Sequence, residues 1–266
     1  MKKLILSAVL CGLTLAAFCQ KSEVRSVSGF TGIDASGVFH VTVNKGDAES
    51  LTIEADEAVL PSVRSVVNNG VLHLSIDNRH KLKNIKHINA SIVMKELKNV
   101  QLSGVCRLLV NDGFISESFK LECSGASNCE VNIKASTVDV DMSGASNLKL
   151  KAEVENAKIE GSGTPNIDAN LQAENINLDF SGGTNVKLVG KADNLSIDSA
   201  GASKINAAGL EANTVNIDAA GASHISVFAT EKLKVDSFGA SIISYKGSPT
   251  IKLESSGASK LKRVNE

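Results

Sequence analysis

One short phrase recurs nine times between Gly104 and Gly257, and its clearest copies read Ser-Gly-Ala-Ser-Asn, at Ser124 to Asn128 and Ser143 to Asn147. Its glycines are Gly104, Gly125, Gly144, Gly163, Gly182, Gly201, Gly221, Gly239 and Gly257. Their successive spacings are 21, 19, 19, 19, 19, 20, 18 and 18 residues. A period near 20 over so many copies marks a solenoid, in which each coil buries its apolar face only by stacking on the next.

The columns of this repeat give the coil its sides. Four residues before each glycine stand Leu121, Val140, Ile159, Leu178, Ile197, Ile217, Val235 and Leu253. Six before, the column runs from Phe119 through Ile176 and Leu195 to Ile251 and is again apolar, while positions three and five before are polar. Alternation with period two is a strand with one face in a core. Four residues after the glycine come Cys129, Leu148, Ile167, Val186, Ile205, Ile225, Ile243 and Leu261, so a second strand leaves the Gly-Ala-Ser corner. The residues left over, such as Lys151 to Asn156, predict a third, shorter side, and Asn156, Asn175 and Asn194 supply turn-favouring side chains there. A coil of this length is too short for a strand-plus-helix unit of about 30 residues. It also lacks the leucine-and-asparagine phrase of a leucine-rich repeat. The fold expected is all-β, a right-handed parallel β-helix of 18–21 residues per coil, its hand following the general preference of parallel crossovers.

Composition agrees with narrow stacked coils. The 266 residues include no Trp, one Tyr and only 3% aromatics, so the core must be filled by Ile, Leu, Val and Ala. A formal charge of −1 provides no basic excess for a nucleic-acid or anionic-membrane partner.

Residues 1–19 have the anatomy of a signal peptide: Lys2 and Lys3, an apolar stretch from Leu4 to Ala17, and Ala17-Phe18-Cys19 before Gln20. The expectation is export to the periplasm, cell surface or exterior. Lipidation at Cys19 is the lesser alternative, because bulky Phe18 stands where a lipoprotein peptidase wants a small residue. No later run reaches 18 apolar residues, so no membrane span is expected in the mature chain. Of the cysteines beyond the leader, Cys106, Cys123 and Cys129, the last two occupy the core slots of Met142 and Leu148 one coil later. They are either two buried small hydrophobes or a disulfide tying one coil to itself. No histidine adjoins them, and metal-ligand spacing is absent.

Residues 20–100 carry the repeat poorly. Val38 to Val43, Leu51 to Ile53 and Val71 to Ile76 alternate, the last after an Asn69-Gly70 turn signal. Asp34-Ala35-Ser36-Gly37 matches the later corners. This segment is expected to form the first irregular coils and an N-terminal cap, continuous with regular coils over 101–266. Residues 78–90, with Arg79, His80, Lys81, Lys83, Lys86 and His87, are expected to form a solvated loop.

Phe30-Thr31-Gly32-Ile33, Val38-Phe39-His40-Val41-Thr42-Val43, Ile53-Glu54-Ala55-Asp56-Glu57, Gly70-Val71-Leu72-His73-Leu74 and the Ser-Gly-Ala-Ser coils follow one another in an order that resembles the GIN-domain family. That family is labelled a putative auto-transporter adhesin head, of Bacteroidetes-type envelopes. The resemblance covers about residues 24–264 and implies a β-helical, secreted or surface-associated protein, with no catalytic residues to transfer. A self-transporting chain needs a C-terminal membrane barrel, and the coils here run on to Glu266, so self-transport is not expected.

One column could carry chemistry. Three residues before successive glycines stand Glu122, Asp141, Glu160, Asp179, Asp198, Asp218, Asp236 and Glu254. Coils about 4.8 Å apart make this a carboxylate ladder, with neighbours repelling by about 0.9 kcal/mol even in water. Lys120, Lys158, Lys234 and Lys252, two residues earlier, offset part of that. Asp179, Asp198 and Asp218 have Asn177, Ser196 and Asn216 there instead, an oxygen set of the Ca²⁺ type. A flat strand spreads such oxygens apart, so a solvated acidic stripe is expected rather than a metal site. His224 falls in an outward corner slot, and His40 and His73 in cap strands.

No catalytic, cofactor-binding or metal residues are assigned, and no cofactor is expected. The function expected is a non-enzymatic secreted or envelope scaffold of adhesin-like type, with an envelope, host-surface or glycan ligand, or self-association. The alternatives are a carbohydrate-active β-helix enzyme or a purely structural envelope component. Coils this uniform provide no long insertion for groove walls and almost no aromatic platform for sugars, which weighs against the enzyme.

Overall fold

Each Ser-Gly-Ala-Ser phrase turns the chain through one corner and starts a new coil directly over the last. The computed structural model describes residues 20–77 and 88–264. The expected leader and the basic side chains from Arg79 to His87 lie outside the described residues. Seven strands open the fold: β1 (Gln20–Arg25), β2 (Gly32–Gly37), β3 (Phe39–Lys45), β4 (Ser50–Asp56), β5 (Val63–Asn68), β6 (Val71–Ile76) and β7 (Ile88–Met94). Then come β8 (Asn99–Gly104), β9 (Arg107–Val110), β10 (Phe114–Cys123), β11 (Asn128–Met142), β12 (Asn147–Gly163), β13 (Asn166–Gly182), β14 (Asn185–Gly201), β15 (Lys204–Gly221) and β16 (His224–Gly239). β17 (Ile242–Lys246), β18 (Thr250–Gly257) and β19 (Lys260–Arg263) complete the stack.

From β10 to β19 every pairing is parallel and joins a coil to the next. The fold is therefore a parallel β-solenoid of about nine turns with irregular strands at its N-terminal end. The register follows the sequence columns: Ile159 lies beside Leu178, Leu178 beside Ile197 and Ile197 beside Ile217, and all four are buried. The expected short third side is not a separate strand. In β12 the ladder runs unbroken from Asn147 to Val154, skips Glu155 and resumes at Asn156. That skip is where inward alternation changes phase, because Glu155 and Asn156 both face solvent while Val154 and Ala157 are buried.

The corner works because its glycine has no side chain. Gly182 has φ +103°, and a Cβ there would lie 2.6 Å from the Gly163 carbonyl oxygen. The coils therefore close to backbone hydrogen-bonding distance. Ala202 N–H donates to Gly182 O at 2.9 Å and Ala222 N–H to Gly201 O at 2.8 Å. Gly37 joins the same column beneath Gly104, as the Asp34-Ala35-Ser36-Gly37 match implied. The corner serines turn inward. Ser127, Ser146, Ser203, Ser223 and Ser241 are buried, and Ser203, Ser223 and Ser241 donate to the glycine carbonyl of the preceding coil at 3.4–3.5 Å. Each hydroxyl is satisfied inside the stack, as a buried polar group requires.

At the N-terminal end β2 and β3 form the first coil, flanked by β6 and β8 and by β7 and β9. Three pairings there are antiparallel: β1 with β4, β4 with β7 and β5 with β6. Phe30, Leu60 and Val63 close the core beneath them. The stretch 78–90 is not all loop, since Ile88, Asn89 and Ala90 begin β7, where Ile88 is buried against the first coil.

Candidate functional site

The acidic column stands in register along one outer strand face: Glu122 beside Asp141, Asp141 beside Glu160, and onward through Asp179, Asp198, Asp218 and Asp236 to Glu254. The expected lysines pair with four of the eight carboxylates, two toward each end. Lys120 pairs with Glu122 at 2.5 Å, Lys158 with Glu160 at 2.8 Å, Lys234 with Asp236 at 2.6 Å and Lys252 with Glu254 at 2.9 Å. Hydrogen bonds to those carboxylates raise Lys120, Lys158 and Lys234 above the ordinary lysine value. The middle carries the strain. Partial burial and the charges of Asp179 and Asp218 push the Asp198 carboxyl above its ordinary value of 3.8. Among the described residues no three His, Cys, Asp or Glu side chains converge as a metal-holding group. A ladder spaced by coil height has no point at which its oxygens meet.

The column's first member lies in the cap. Asp34 sits in register with His73 and with Gln101, and the His73 ring Nδ1 lies 2.9 Å from Asp34 Oδ2. The pair is partly exposed, and it staples the first coil to β6. His224 is where its corner slot put it, exposed beside Lys204.

A second outer face, on the strand leaving each corner, went unread in the sequence. Its rows are Asn128, Asn147, Asn166 and Asn185 three residues after the glycine, and Glu130, Lys149, Asp168 and Lys187 five after. The polar columns carried the signal, but only the apolar ones were needed to find the fold. Asn147 donates to Asn128 at 3.0 Å and Asn185 to Asn166 at 2.6 Å, and a parallel ladder links Asn156, Asn175 and Asn194 at 2.9 Å per step. Across this face runs a shallow open depression of about 540 Å³, where Arg107, Asn128, Glu130, Asn147, Lys149 and Asp168 surround a floor of Leu108 and Leu148. A second, of about 460 Å³, continues it along the strands to Asn132, Lys151 and Asn170. Amides and charges of both signs over an extended trough can hydrogen-bond a long polar ligand, and they assemble no nucleophile with its base.

The cysteines are buried thiols. Cys123 and Cys129 face each other across one corner with their sulfurs 2.8 Å apart. The hydrogen bond to Cys123, reinforced by burial, pushes the Cys129 thiol far above the ordinary range. Burial likewise raises Cys106, whose single S–H has the carbonyls of Ala35, Gly37 and Ser103 as alternative acceptors at 3.4–3.6 Å. With both thiols raised, neither Cys106 nor Cys129 supplies a thiolate at neutral pH.

A glycine-cornered β-solenoid whose outer faces are flat ladders is a scaffold by class, and the comparisons with known proteins place it more narrowly. Residues 29–170 and 158–249 match the family described as "Putative auto-transporter adhesin, head GIN domain", and the chain belongs to that family. Solved structures share the fold at low identity. A putative adhesin of Parabacteroides distasonis is 20% identical with a TM-score of 0.71, covering 93% of this chain and 98% of its own. A putative adhesin of Parabacteroides merdae is 18% identical with a TM-score of 0.65, covering 92% and 96%. A second Parabacteroides distasonis protein, described as a putative lipid binding protein, is 21% identical with a TM-score of 0.65, covering 92% and 97%. No curated protein matches the chain. Among the described residues no helix is long and apolar enough to cross a membrane.

Proposed function

We propose that this chain is a non-enzymatic, adhesin-like binding scaffold of the cell envelope, and that its polar trough holds an extended glycan or glycan-like ligand. The observation that carries this reading is the trough from Arg107 to Asn170, long, shallow and lined by amides and charges of both signs. The adhesin descriptions of relatives sharing the fold support it. The signal-peptide anatomy of residues 1–19 supports it too. Residues 1–19 are read as a signal peptide cleaved before Gln20, residues 20–100 as the cap and first coils, and 101–266 as the regular coils of the same domain. The solenoid is read as right-handed, supported by the near-universal hand of parallel crossovers.

The test is retention of envelope polysaccharide fractions on the immobilised exported chain, compared with the variant Asn147→Ala/Lys149→Ala/Asp168→Ala. All three side chains are exposed, so the variant is expected to fold and to lose most of the retention. Equal retention by both proteins would remove the trough from the function. New reducing or unsaturated sugar ends released by the parent chain would make it an enzyme.

A further inference from the structure

The two ends of the solenoid are not alike. At the N-terminal end Phe30, Leu60 and Val63 are almost fully buried and antiparallel strands lie over the core. At the C-terminal end the core is open. Leu233 and Val235 in β16 are 1% and 0% exposed, whereas Ile251 and Leu253, in the same two columns one coil later, are 39% and 46% exposed. The outer edge of β18 has no strand partner among the described residues, since β18 pairs with β16 alone. An open core and an unpaired edge are what a terminal repeat normally covers.

A second observation lies around the corner of the preceding coil. The slot just before the glycine holds Ser or Ala in the earlier coils but Phe238 in β16, and the slot three after it holds Arg, Asn, Lys or His but Ile242 in β17. Both are exposed, at 54% and 40%. The polar corner column turns apolar only beside the open end.

We propose that the C-terminal coil is a dimer interface and that its partner is a second copy of this chain, with the two β18 strands paired antiparallel about a two-fold axis at Leu253. Charge selects this register. With the axis on Leu253, Lys252 lies directly across from the partner's Glu254, and Glu254 from the partner's Lys252. An axis on Lys252 or Glu254 would instead set like charges face to face, which is destabilising for directly opposed strand residues. The same axis brings the two Leu253 side chains together and covers Ile251 on both cores. Head-to-tail stacking has no equivalent, because the opposite end is sealed. A self-complementary patch at one end closes as an isologous pair and does not grow into a filament.

The experiment uses the exported chain and measures molar mass against concentration by sedimentation equilibrium, with circular dichroism to confirm folding. Lys252→Glu makes the edge strand acidic throughout and Glu254→Lys makes it basic, and both positions are solvent-exposed. The parent is expected to dimerise, and each variant alone to dissociate about tenfold or more readily. An equimolar mixture of the two variants is expected to recover the dimer, since each acidic strand then meets a basic one. A monomeric parent, an open-ended oligomer, or a mixture no tighter than the separate variants would overturn the proposal.

Discussion

Phe180 fills the space that Gly161 leaves. The two stand side by side in β12 and β13, and a Cβ added to Gly161 would lie 2.8 Å from Phe180 Cδ1 and 3.2 Å from Pro165 Cγ. Phe180 is completely buried, so its ring cannot swing out to make room. Core volume is therefore balanced between coils and not only within each one.

Gly161→Ala is expected to cost about 1–3 kcal/mol by overpacking and Phe180→Ala about 3–5 kcal/mol by leaving a cavity. The double variant should cost clearly less than their sum, because removing the ring removes the clash. Chemical denaturation of all four proteins measures it, and strict additivity would contradict the exchange of volume.

Gly182 and Gly183 are adjacent and should behave oppositely. Gly182→Ala puts a side chain at positive φ and against the Gly163 carbonyl, an expected loss of about 2 kcal/mol or more. Gly183 carries no positive φ, and a Cβ there would meet only Thr164 Cγ2 at 3.6 Å. Other coils place Ala at this position, as Ala145 and Ala202 do. Gly183→Ala should therefore be neutral or stabilising by about 0.4–1 kcal/mol, read as a change in Tm.

The acidic ladder carries a pH signature. Asp198 has its folded value raised above 3.8, so the folded chain holds that proton more tightly than the unfolded chain does. Ionised Asp198 then lowers stability above the raised value, and the penalty vanishes below 3.8. Asp198→Asn/Asp218→Asn should raise Tm slightly at pH 7, by no more than about 1 kcal/mol for such exposed charges, and the gain should fade near pH 3. Millimolar Ca²⁺ should leave both proteins unchanged. A Ca²⁺-dependent rise in the parent that the double variant loses would establish a cation site.

Cys123 and Cys129 touch across one corner, so exposure to an oxidising compartment should join them. Mass spectrometry of the exported chain without reductant should find it lighter by two hydrogens, with Cys106 left as the thiol. The loop closed is short, so the gain should be only about 2 kcal/mol. Three alkylatable thiols after denaturation would rule the bridge out.

What the sequence made legible is what repeats. The glycine column, the inward Leu121-to-Leu253 column and the lysine partners of Glu122, Glu160, Asp236 and Glu254 each needed only alignment of one coil on the next. The cap does not repeat, and so no column could show that β4 and β5 run antiparallel to their neighbours or that Val63 to Asn68 forms a hairpin with Val71 to Ile76. The pairing of Gly161 with Phe180 hides within a column whose members vary in size. The polar trough was written in the outward columns, but polarity on a strand face is ordinary until neighbouring coils bring the side chains together. Leu253 looked like every other member of its column. Only the lack of a coil above it among the described residues makes it different.

The central claim is that, among the described residues, one continuous core runs through the stack and opens only at the coil that holds β18. Ile197 and Leu253 test it, because they share a column and differ in burial, at 1% and 46% exposed. The measurement is thermal unfolding of Ile197→Asp and Leu253→Asp followed by far-ultraviolet circular dichroism. Ile197→Asp should abolish the cooperative transition, since it places an unpaired charge between Leu178 and Ile217. Leu253→Asp should keep that transition within a few degrees of the parent when both are dilute enough to be monomeric, because the charge then faces solvent. Equal damage from both substitutions, or a stable fold with Asp at position 197, would contradict the account.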